Sequence, residues 1–189
     1  MSVGDNFYIK RRSVLARKMS SEPIKDVDLK TILDAGIRVP DHGALNPWKI
    51  IVINKEKQKN IDEQIILSEY KKENPEANEY NLQIEANRLQ RASVVLAVLS
   101  TPVEHPKIPS WEMVLSSGAV CMNLLSCAQS LGYAAQWLTE WYAYNEKMLE
   151  YLGGRPNIDK ISGFIYIGHK IEEPNERRRP DPEKVISYL

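Results

Sequence analysis

The sequence predicts a domain of the α/β or α+β class. Segments whose apolar residues recur at helical spacing alternate along the chain with short runs rich in β-branched residues. The longest helical segment, Trp111 to Leu131, lies in the middle of the chain and has almost no polar face, as expected of a central buried helix. The 189 residues, of which 43% are apolar, suffice for one core without disulfides or a structural metal. We therefore expect residues 1–189 to form a single domain.

Helices are predicted where apolar residues fall three or four positions apart between breaking residues. The second of them ends before Pro40, because a residue that precedes proline avoids helical backbone angles. Gly132 is a typical C-terminal cap for the central helix. The predicted helices cover residues 5–18, Asp26–Arg38, 55–71, 81–92, Trp111–Leu131 and 145–152.

Strands are predicted at Trp48–Ile53, Ser93–Leu99, Tyr133–Leu138 and Lys160–Gly168, and the first of these runs is strongly β-branched. The run Ser93–Leu99 is apolar enough to be buried on both faces of a sheet. The polar stretch Lys71–Tyr80, which contains a proline, is predicted to be a mobile flap. The tail, residues 169–189, is predicted to be extended until about Asp181, and its apolar end indicates that it packs on something, such as a second subunit.

Charge and composition exclude several classes of partner. Lys and Arg number 25, as do Asp and Glu, so the chain has no net charge to attract nucleic acid or an anionic membrane. No uninterrupted apolar run reaches the ~18 residues of a membrane span. The N-terminus has no apolar signal-peptide core, so we expect no export and a cytoplasmic location. Cys121 and Cys127 are predicted to be buried thiols in a reducing compartment.

Familiar catalytic motifs are absent from the sequence. It contains no GxGxxG or GxxxxGK[ST] nucleotide-binding loop and no GxSxG nucleophile elbow. His42, His105 and His169 lie far apart, outside any HExxH motif and away from paired cysteines, so no zinc site is expected. The chemistry is therefore expected to belong to a bound organic cofactor.

Two clusters of arginines are candidates for a phosphate site. Arg11 and Arg12 precede Ser13, and guanidiniums beside a hydroxyl suit a phosphate dianion because arginine binds oxyanions through paired hydrogen bonds. The alternative is a solvated basic helix end. The second cluster runs from Arg177 to Arg179 and, taken alone, also fits a solvated charge run. In a chain without net charge, clusters at opposite ends suit a single buried phosphate.

Two further segments fit the lining of a small-molecule site. Arg38 and His42 flank a rigid turn before the first strand, and such loops often carry binding residues. The alternative for His42 is an ordinary surface histidine. The segment Trp137–Trp141 places apolar and aromatic groups directly after a strand, which suits a planar ligand or, equally, the aromatic edge of a core.

Together these segments resemble the FMN-dependent nitroreductase family, specifically its short single-domain branch of NAD(P)H nitroreductases. The resemblance extends over nearly the whole chain. Each motif is weak alone, but their order and spacing form a strong signal. The motifs are Arg11-Arg12-Ser13, Arg38-Val39-Pro40-Asp41-His42 running into Asn46-Pro47-Trp48, Ala135-Gln136-Trp137-Leu138-Thr139, Gly163-Phe164-Ile165-Tyr166-Ile167-Gly168, and Arg177 to Pro182.

The resemblance implies an α+β fold with a mostly antiparallel central sheet flanked by helices. It also implies a homodimer that exchanges C-terminal arms and holds FMN at its interface. The resemblance implies that Arg11, Arg12 and Ser13 hold FMN and that Arg177 and Arg179 contact its phosphate. Arg38 and His42 are implied to reach FMN from the other subunit. Trp137, Leu138 and Thr139 are implied to lie along the isoalloxazine ring. One position departs from the family pattern, because Leu15 stands where many members have arginine or lysine. Arg17 is a candidate replacement.

The implied activity is an FMN-dependent NAD(P)H oxidoreductase, with NADH or NADPH as electron donor. A hydride passes through flavin N5 in a ping-pong cycle to a nitroaromatic, quinone or similar small-molecule acceptor, without a catalytic side chain or a metal. Three alternatives stay open. They are another flavin enzyme on the same fold (an enone reductase or a flavin-fragmenting enzyme), an FMN carrier or sensor without turnover, and an interaction domain whose arginines bind another anion.

Overall fold

The computed structural model describes residues 6–189, and its centre is a sheet of five strands. The strands are β1 (Met19–Ser20), β2 (Trp48–Ile53), β3 (Val94–Ser100), β4 (Ala134–Leu138) and β5 (Lys160–Lys170). Every pairing is antiparallel, in the order β1-β5-β3-β2, with β4 paired to β5 on the edge opposite β3. The predicted antiparallel sheet is therefore confirmed, and the short strand β1 is an addition to it.

A β-bulge interrupts the pairing of β3 with β5. Val98 faces Gly163 across the ladder, whereas the next residue, Leu99, faces Ile161. Ser162 is thus an extra residue on β5. Such a bulge bends the strand and releases the extra residue from the ladder with β3.

Helices cover both faces of the sheet. They are α1 (Phe7–Lys10), α2 (Asp26–Gly36), α3 (Lys55–Ile61), α4 (Ser68–Glu73), α5 (Glu79–Glu85), α6 (Ser110–Ser130), α7 (Glu146–Tyr151) and α8 (Pro182–Val185). Alternate residues of β3 feed two cores. One core lies beneath α2 and α6 around Ile32 and Leu124, and the other lies beneath α3 and α7 around Ile66 and Phe164. β3 is buried along its whole length, as predicted.

The central helix α6 is long and apolar enough to cross a membrane by length and composition alone, with a mean hydropathy of 1.2. Half of the relevant window is buried inside the fold. Val120 and Leu125 pack in the core that α6 shares with α2 and the sheet. This is the arrangement of a core helix, and its hydropathy follows from that burial.

The prediction of a helix over residues 5–18 is wrong for the part that the structure describes, which excludes residue 5. Only Phe7–Lys10 is helical, and a 3-10 turn follows at Ala16–Lys18. Between them, the Val14 N–H donates to the Ala135 carbonyl of β4 at 3.2 Å. A bond to the sheet replaces the bond that a helix would make, so the arginine–serine motif lies in extended chain after a short helix.

The predicted surface helix and flap are also rearranged. Between α3 and α4 the helix widens into a π-helical stretch, Asp62–Leu67. α4 and α5 then take both ends of the predicted flap Lys71–Tyr80, so only residues 74–78 lie between helices. The mobility of this connection stays a prediction.

The helix predicted over residues 81–92 ends early because a buried carboxylate captures the chain after it. Asp62 is fully buried and accepts the N–H groups of Leu89 at 2.9 Å and of Gln90 at 3.3 Å. These bonds hold a 3-10 turn at Leu89–Arg91. Burial raises the pKa of Asp62 to about 6, although the two N–H groups act in the opposite direction.

Of the two predicted buried thiols, one is buried in the structure. Cys121 is buried, and this burial raises its pKa to about 12, whereas Cys127 is only half-buried, contrary to prediction. After β5 the tail is extended as predicted, and α8 begins at Pro182. The apolar end, Val185 to Leu189, is exposed in the single chain.

Candidate functional site

The two ends of the described chain meet at a pocket of about 660 Å³. Its lining is strongly basic, because six of the nine residues carry a cationic side chain and only Asp181 carries a carboxylate. The lining residues are Arg11, Arg12, Ser13, Arg177, Arg178, Arg179, Pro180, Asp181 and Lys184. The structure thus brings both predicted arginine clusters to one place. Below we call this place the arginine pocket.

The N-terminal side of the arginine pocket is anchored to β4 and α6. Gln129 of α6 donates from Nε2 to the Arg12 carbonyl at 2.9 Å. The Ala16 N–H donates to Gln136 Oε1 of β4 at 2.6 Å. These long-range bonds fix an extended backbone, which cannot hold its position through bonds of its own.

Arg12 also ties the tail to this segment. Its Nε donates to the Asn175 carbonyl at 3.1 Å, and its Nη1 donates to the Ser13 carbonyl at 3.0 Å. On the tail, Arg179 Nη2 lies 3.0 Å from Glu176 Oε1. The backbone N–H of the next residue and the nearby guanidiniums lower the pKa of Glu176. One exposed carboxylate therefore already competes for a guanidinium of the pocket.

Arg11 has the clearest unmet hydrogen-bonding capacity in the arginine pocket. Its Nη1 is buried, and the described residues provide no hydrogen-bond partner for it. A buried donor without an acceptor is rare and costly, so a ligand oxygen would complete it. The pocket therefore suits an anion with several acceptor oxygens, such as a phosphate monoester.

Trp137 is fixed against the bulge of β5. Its indole Nε1 donates to the Ser162 carbonyl at 3.0 Å. The absence of a side chain at Gly163 makes this contact possible, because a Cβ there would lie 2.1 Å from Trp137 Nε1. Leu138 is half-buried, and Thr139, directly after the strand, is exposed.

A cluster of four charged side chains lies next to this segment. Arg88 Nη1 lies 2.6 Å from Glu140 Oε2, and Arg91 Nη1 lies 3.4 Å from Glu140 Oε1. Arg88 Nε also donates to Glu85 Oε2 at 2.9 Å. Burial alone would lower the pKa of Arg88, but the two carboxylates raise it. Below we call Glu85, Arg88, Arg91 and Glu140 the charged cluster.

Sequence reasoning missed the charged cluster and one residue of the arginine pocket. Glu85, Arg88 and Arg91 follow one another at intervals of three, which is a signal for neighbours on one helical face. Nothing in the sequence pairs them with Glu140. Lys184 lines the pocket from α8, and its only signal is its position five residues after the arginine run.

The sequence profile described as the Nitroreductase family matches residues 8–169. This chain belongs to the Nitroreductase family. The family is one of oxidoreductases, so the sequence resemblance and the expectation of an enzyme are both confirmed. In this nitroreductase the match includes Arg11 to Ser13 and Trp137 to Glu140. Arg177 to Arg179 lie beyond it, so only the structure places them beside the N-terminal motif.

Similar proteins extend over almost the whole nitroreductase chain. The protein named "Putative NAD(P)H nitroreductase YdjA" from Escherichia coli K12 is 27% identical over 185 residues, 96% of each chain. A solved nitroreductase-like family protein from Bacillus cereus has a TM-score of 0.81 at 20% identity and covers 97% of this chain and 94% of its own. A solved nitroreductase with bound FMN from Bacteroides fragilis has a TM-score of 0.70 at 21% identity and covers 97% and 96%. These structures establish a shared fold, which confirms the α+β class.

Five predicted site residues do not line the arginine pocket of this nitroreductase. Trp137, Leu138 and Thr139 lie at the end of β4 outside it, and Arg38 and His42 lie in other places. Arg38 is exposed and lines a separate pocket of about 390 Å³ beside Phe7 and Tyr8. His42 is also exposed, and its Nδ1 lies 2.7 Å from Glu112 Oε2 at the start of α6. The single chain therefore does not bring Arg38 and His42 to the arginine clusters. Their role as cross-dimer contacts stays a prediction.

Proposed function

We propose that this nitroreductase is an FMN-dependent NAD(P)H oxidoreductase that works in the cytoplasm as a homodimer, with residues 1–189 as one FMN-binding domain. The relative from Escherichia coli carries NAD(P)H nitroreductase in its name, and the structure from Bacteroides fragilis contains FMN. The proposal transfers cofactor and electron donor from these proteins to this chain.

The arginine pocket is the observation that carries the proposal. The buried Nη1 of Arg11 has no hydrogen-bond partner among the described residues, and five other cationic side chains line the same pocket. The phosphate of FMN supplies the oxygens that this arrangement needs. Arg11, Arg12, Ser13, Arg177 and Arg179 hold that phosphate in the proposal. The residues present therefore fit the group.

The rest of the proposed FMN site combines two subunits. Trp137, Leu138 and Thr139 lie along the isoalloxazine ring, while Arg38 and His42 reach it from the partner. Apolar surface that is exposed in the single chain supports a second copy. It includes Trp111 and Leu115 near the start of α6, as well as Tyr188 and Leu189 at the end of the tail. In the proposed homodimer the tail packs on the partner.

The protein's own part in the reaction is to bind and orient. FMN, when bound, would supply two-electron chemistry between NADH or NADPH and an acceptor. Arg38 would provide positive charge, and His42 a hydrogen bond, toward the cofactor. The nicotinamide and then a nitroaromatic, quinone or similar small molecule would occupy the same space in turn, as a ping-pong cycle requires. Because the cofactor would supply the redox chemistry, the proposal assigns no metal and no nucleophilic side chain.

The visible spectrum of the purified protein tests the proposal. We expect a yellow protein whose absorption bleaches when NADH or NADPH is added without air and returns when a nitroaromatic or quinone follows. A colourless protein that ignores added FMN would contradict the proposal. A yellow protein that neither donor bleaches would indicate a carrier, and analysis of products with and without air separates an enone reductase or a flavin-fragmenting enzyme.

A further inference from the structure

We propose that Glu140 is a positioning residue that fixes the segment Trp137–Thr139 for the reaction of the bound flavin. This inference rests on the function proposed above. The segment is held at both ends, by the packing of Trp137 on the bulge of β5 and by the pairing of Glu140 with two arginines. Thr139 lies between these anchors with an exposed side chain.

The backbone of Glu140 adopts a conformation that needs external support. Its φ is 28° and its ψ is 175°, in a region that side chains other than glycine rarely enter. Residues in such conformations persist only where their surroundings determine them, and they concentrate at functional sites. The surroundings here are Arg88 and Arg91, whose guanidiniums bracket the Glu140 carboxylate.

The charged cluster is complete without a ligand. It contains two carboxylates and two guanidiniums, and none of the four side chains is more than 22% exposed. Glu85 also accepts a hydrogen bond at 3.0 Å from the indole Nε1 of Trp141, the residue after Glu140. The cluster therefore holds both Glu140 and its neighbour, and its charges balance within the protein.

The charged cluster connects two parts of the chain that are distant in sequence. Glu85 ends α5, Arg88 follows it, and Arg91 ends the 3-10 turn that Asp62 holds, whereas Glu140 follows β4. The path of the chain after β4 therefore depends on the position of the 85–91 segment. Loss of the Glu140 charge weakens this dependence, which then rests on the bond from Trp141 to Glu85, and leaves the Trp137 anchor in place.

Positioning affects rate because hydride transfer depends on geometry, and a displacement of about 1 Å can cost 10²-fold in rate. Glu140 does not line the arginine pocket, so its loss should leave the proposed phosphate contacts in place and change FMN affinity much less than rate. The expected signature is thus a fall in kcat with little change in the Kd for FMN. A residue with only a structural role would lower stability without this signature.

The test compares Glu140→Gln with wild type as FMN-loaded protein. We expect kcat for NAD(P)H oxidation to fall at least about tenfold, the Kd for FMN to change by less than about threefold, and the visible circular dichroism of bound flavin to change. Arg91→Met removes one of the two guanidiniums around Glu140. It should show a weaker form of the same changes, which keeps the test valid if Glu140→Gln fails to fold.

Asp159→Asn is the matched control. Asp159 is a buried carboxylate paired with Arg155 at 2.7 Å in the turn before β5, and neither residue belongs to the charged cluster. It should lower stability while leaving the flavin dichroism and kcat close to wild type. Arg88→Lys keeps the charge and should retain more activity than Arg88→Met.

The outcomes separate this inference from the proposed function. If wild-type protein binds FMN and turns over, but Glu140→Gln and Arg91→Met match it in kcat and dichroism, the positioning role is wrong and the function stands. If Asp159→Asn reproduces the changes of Glu140→Gln, the effect is general loss of structure and the inference is overturned. If wild-type protein ignores FMN, the function fails and the inference falls with it.

Discussion

The arginine pocket and the charged cluster use the same residue type for opposite purposes. In the pocket, Arg11 is partly buried without a hydrogen-bond partner on Nη1, and cations outnumber carboxylates. In the cluster, Arg88 and Arg91 are paired with Glu85 and Glu140. Unbalanced positive charge around a buried, unpaired donor suits an anionic ligand, whereas balanced charge holds the chain together. Partner groups, and not the arginines themselves, distinguish a binding site from a structural contact.

The largest expected effect comes from breaking the balanced region. Arg88→Met leaves two poorly solvated carboxylates without their main partner, which should lower the free energy of unfolding by about 3–5 kcal/mol. Urea unfolding of the FMN-free protein measures this change. The reading of Arg88 as a structural residue would be wrong if the variant were as stable as wild type.

The pH dependence of stability tests Asp62, which holds the 85–91 segment through the N–H groups of Leu89 and Gln90. Burial places the pKa of Asp62 at about 6 against 3.8 for the free group, so the folded state binds a proton more tightly than the unfolded state. As pH falls from 7 to about 4, this group should therefore add up to about 3 kcal/mol to the free energy of unfolding. Asp62→Asn should remove that gain from the pH profile. Parallel profiles for wild type and variant would show that Asp62 titrates normally.

Removal of an arginine from the pocket should weaken FMN binding without lowering stability, unlike the removal of Arg88. Arg11→Met eliminates a charge-assisted bond to phosphate worth about 1.5–3 kcal/mol, so the Kd for FMN should rise about 10- to 150-fold. The stability of the FMN-free protein should stay level or increase, because an unpaired buried donor is lost. Fluorescence titration and urea unfolding give the two values. If Arg11→Met instead lost much stability and kept its FMN affinity, the arginine pocket would be the structural contact and not the binding site.

The smallest expected effect concerns the exposed carboxylate of the pocket. Glu176→Gln frees Arg179 from an ion pair of the kind worth about 0.2–1 kcal/mol, so FMN should bind about 1.5- to 5-fold more tightly at low salt. The gain should fade as salt screens the pair. Weaker binding in the variant would mean that Glu176 supports the site by orienting Arg179.

The convergence of the arginine clusters could be predicted from the sequence, since two basic runs in a chain without net charge suggest one anion. The strands could also be predicted from the sequence, because β-branched runs such as Ile50–Ile53 favour a sheet. The roles of these residues toward FMN stay predictions. So does the dimer on which Arg38 and His42 depend.

Features that depend on tertiary contacts could not be predicted from the sequence. The helical pattern around Arg11 was overridden by bonds from Val14 to β4, which local spacing does not reveal. The π-helical stretch at Asp62 and the turn at Leu89 depend on each other across the fold. Likewise, the strained backbone of Glu140 has no signal in residue type, because such a φ would predict glycine.

The most direct test is a titration of FMN-free protein with FMN and with riboflavin, which differ only in the phosphate. If the arginine pocket holds that phosphate, FMN should bind at least about 100-fold more tightly than riboflavin. Arg11→Met should reduce this ratio while leaving riboflavin affinity unchanged. Equal affinities of wild-type protein for the two flavins would contradict the assignment of the pocket.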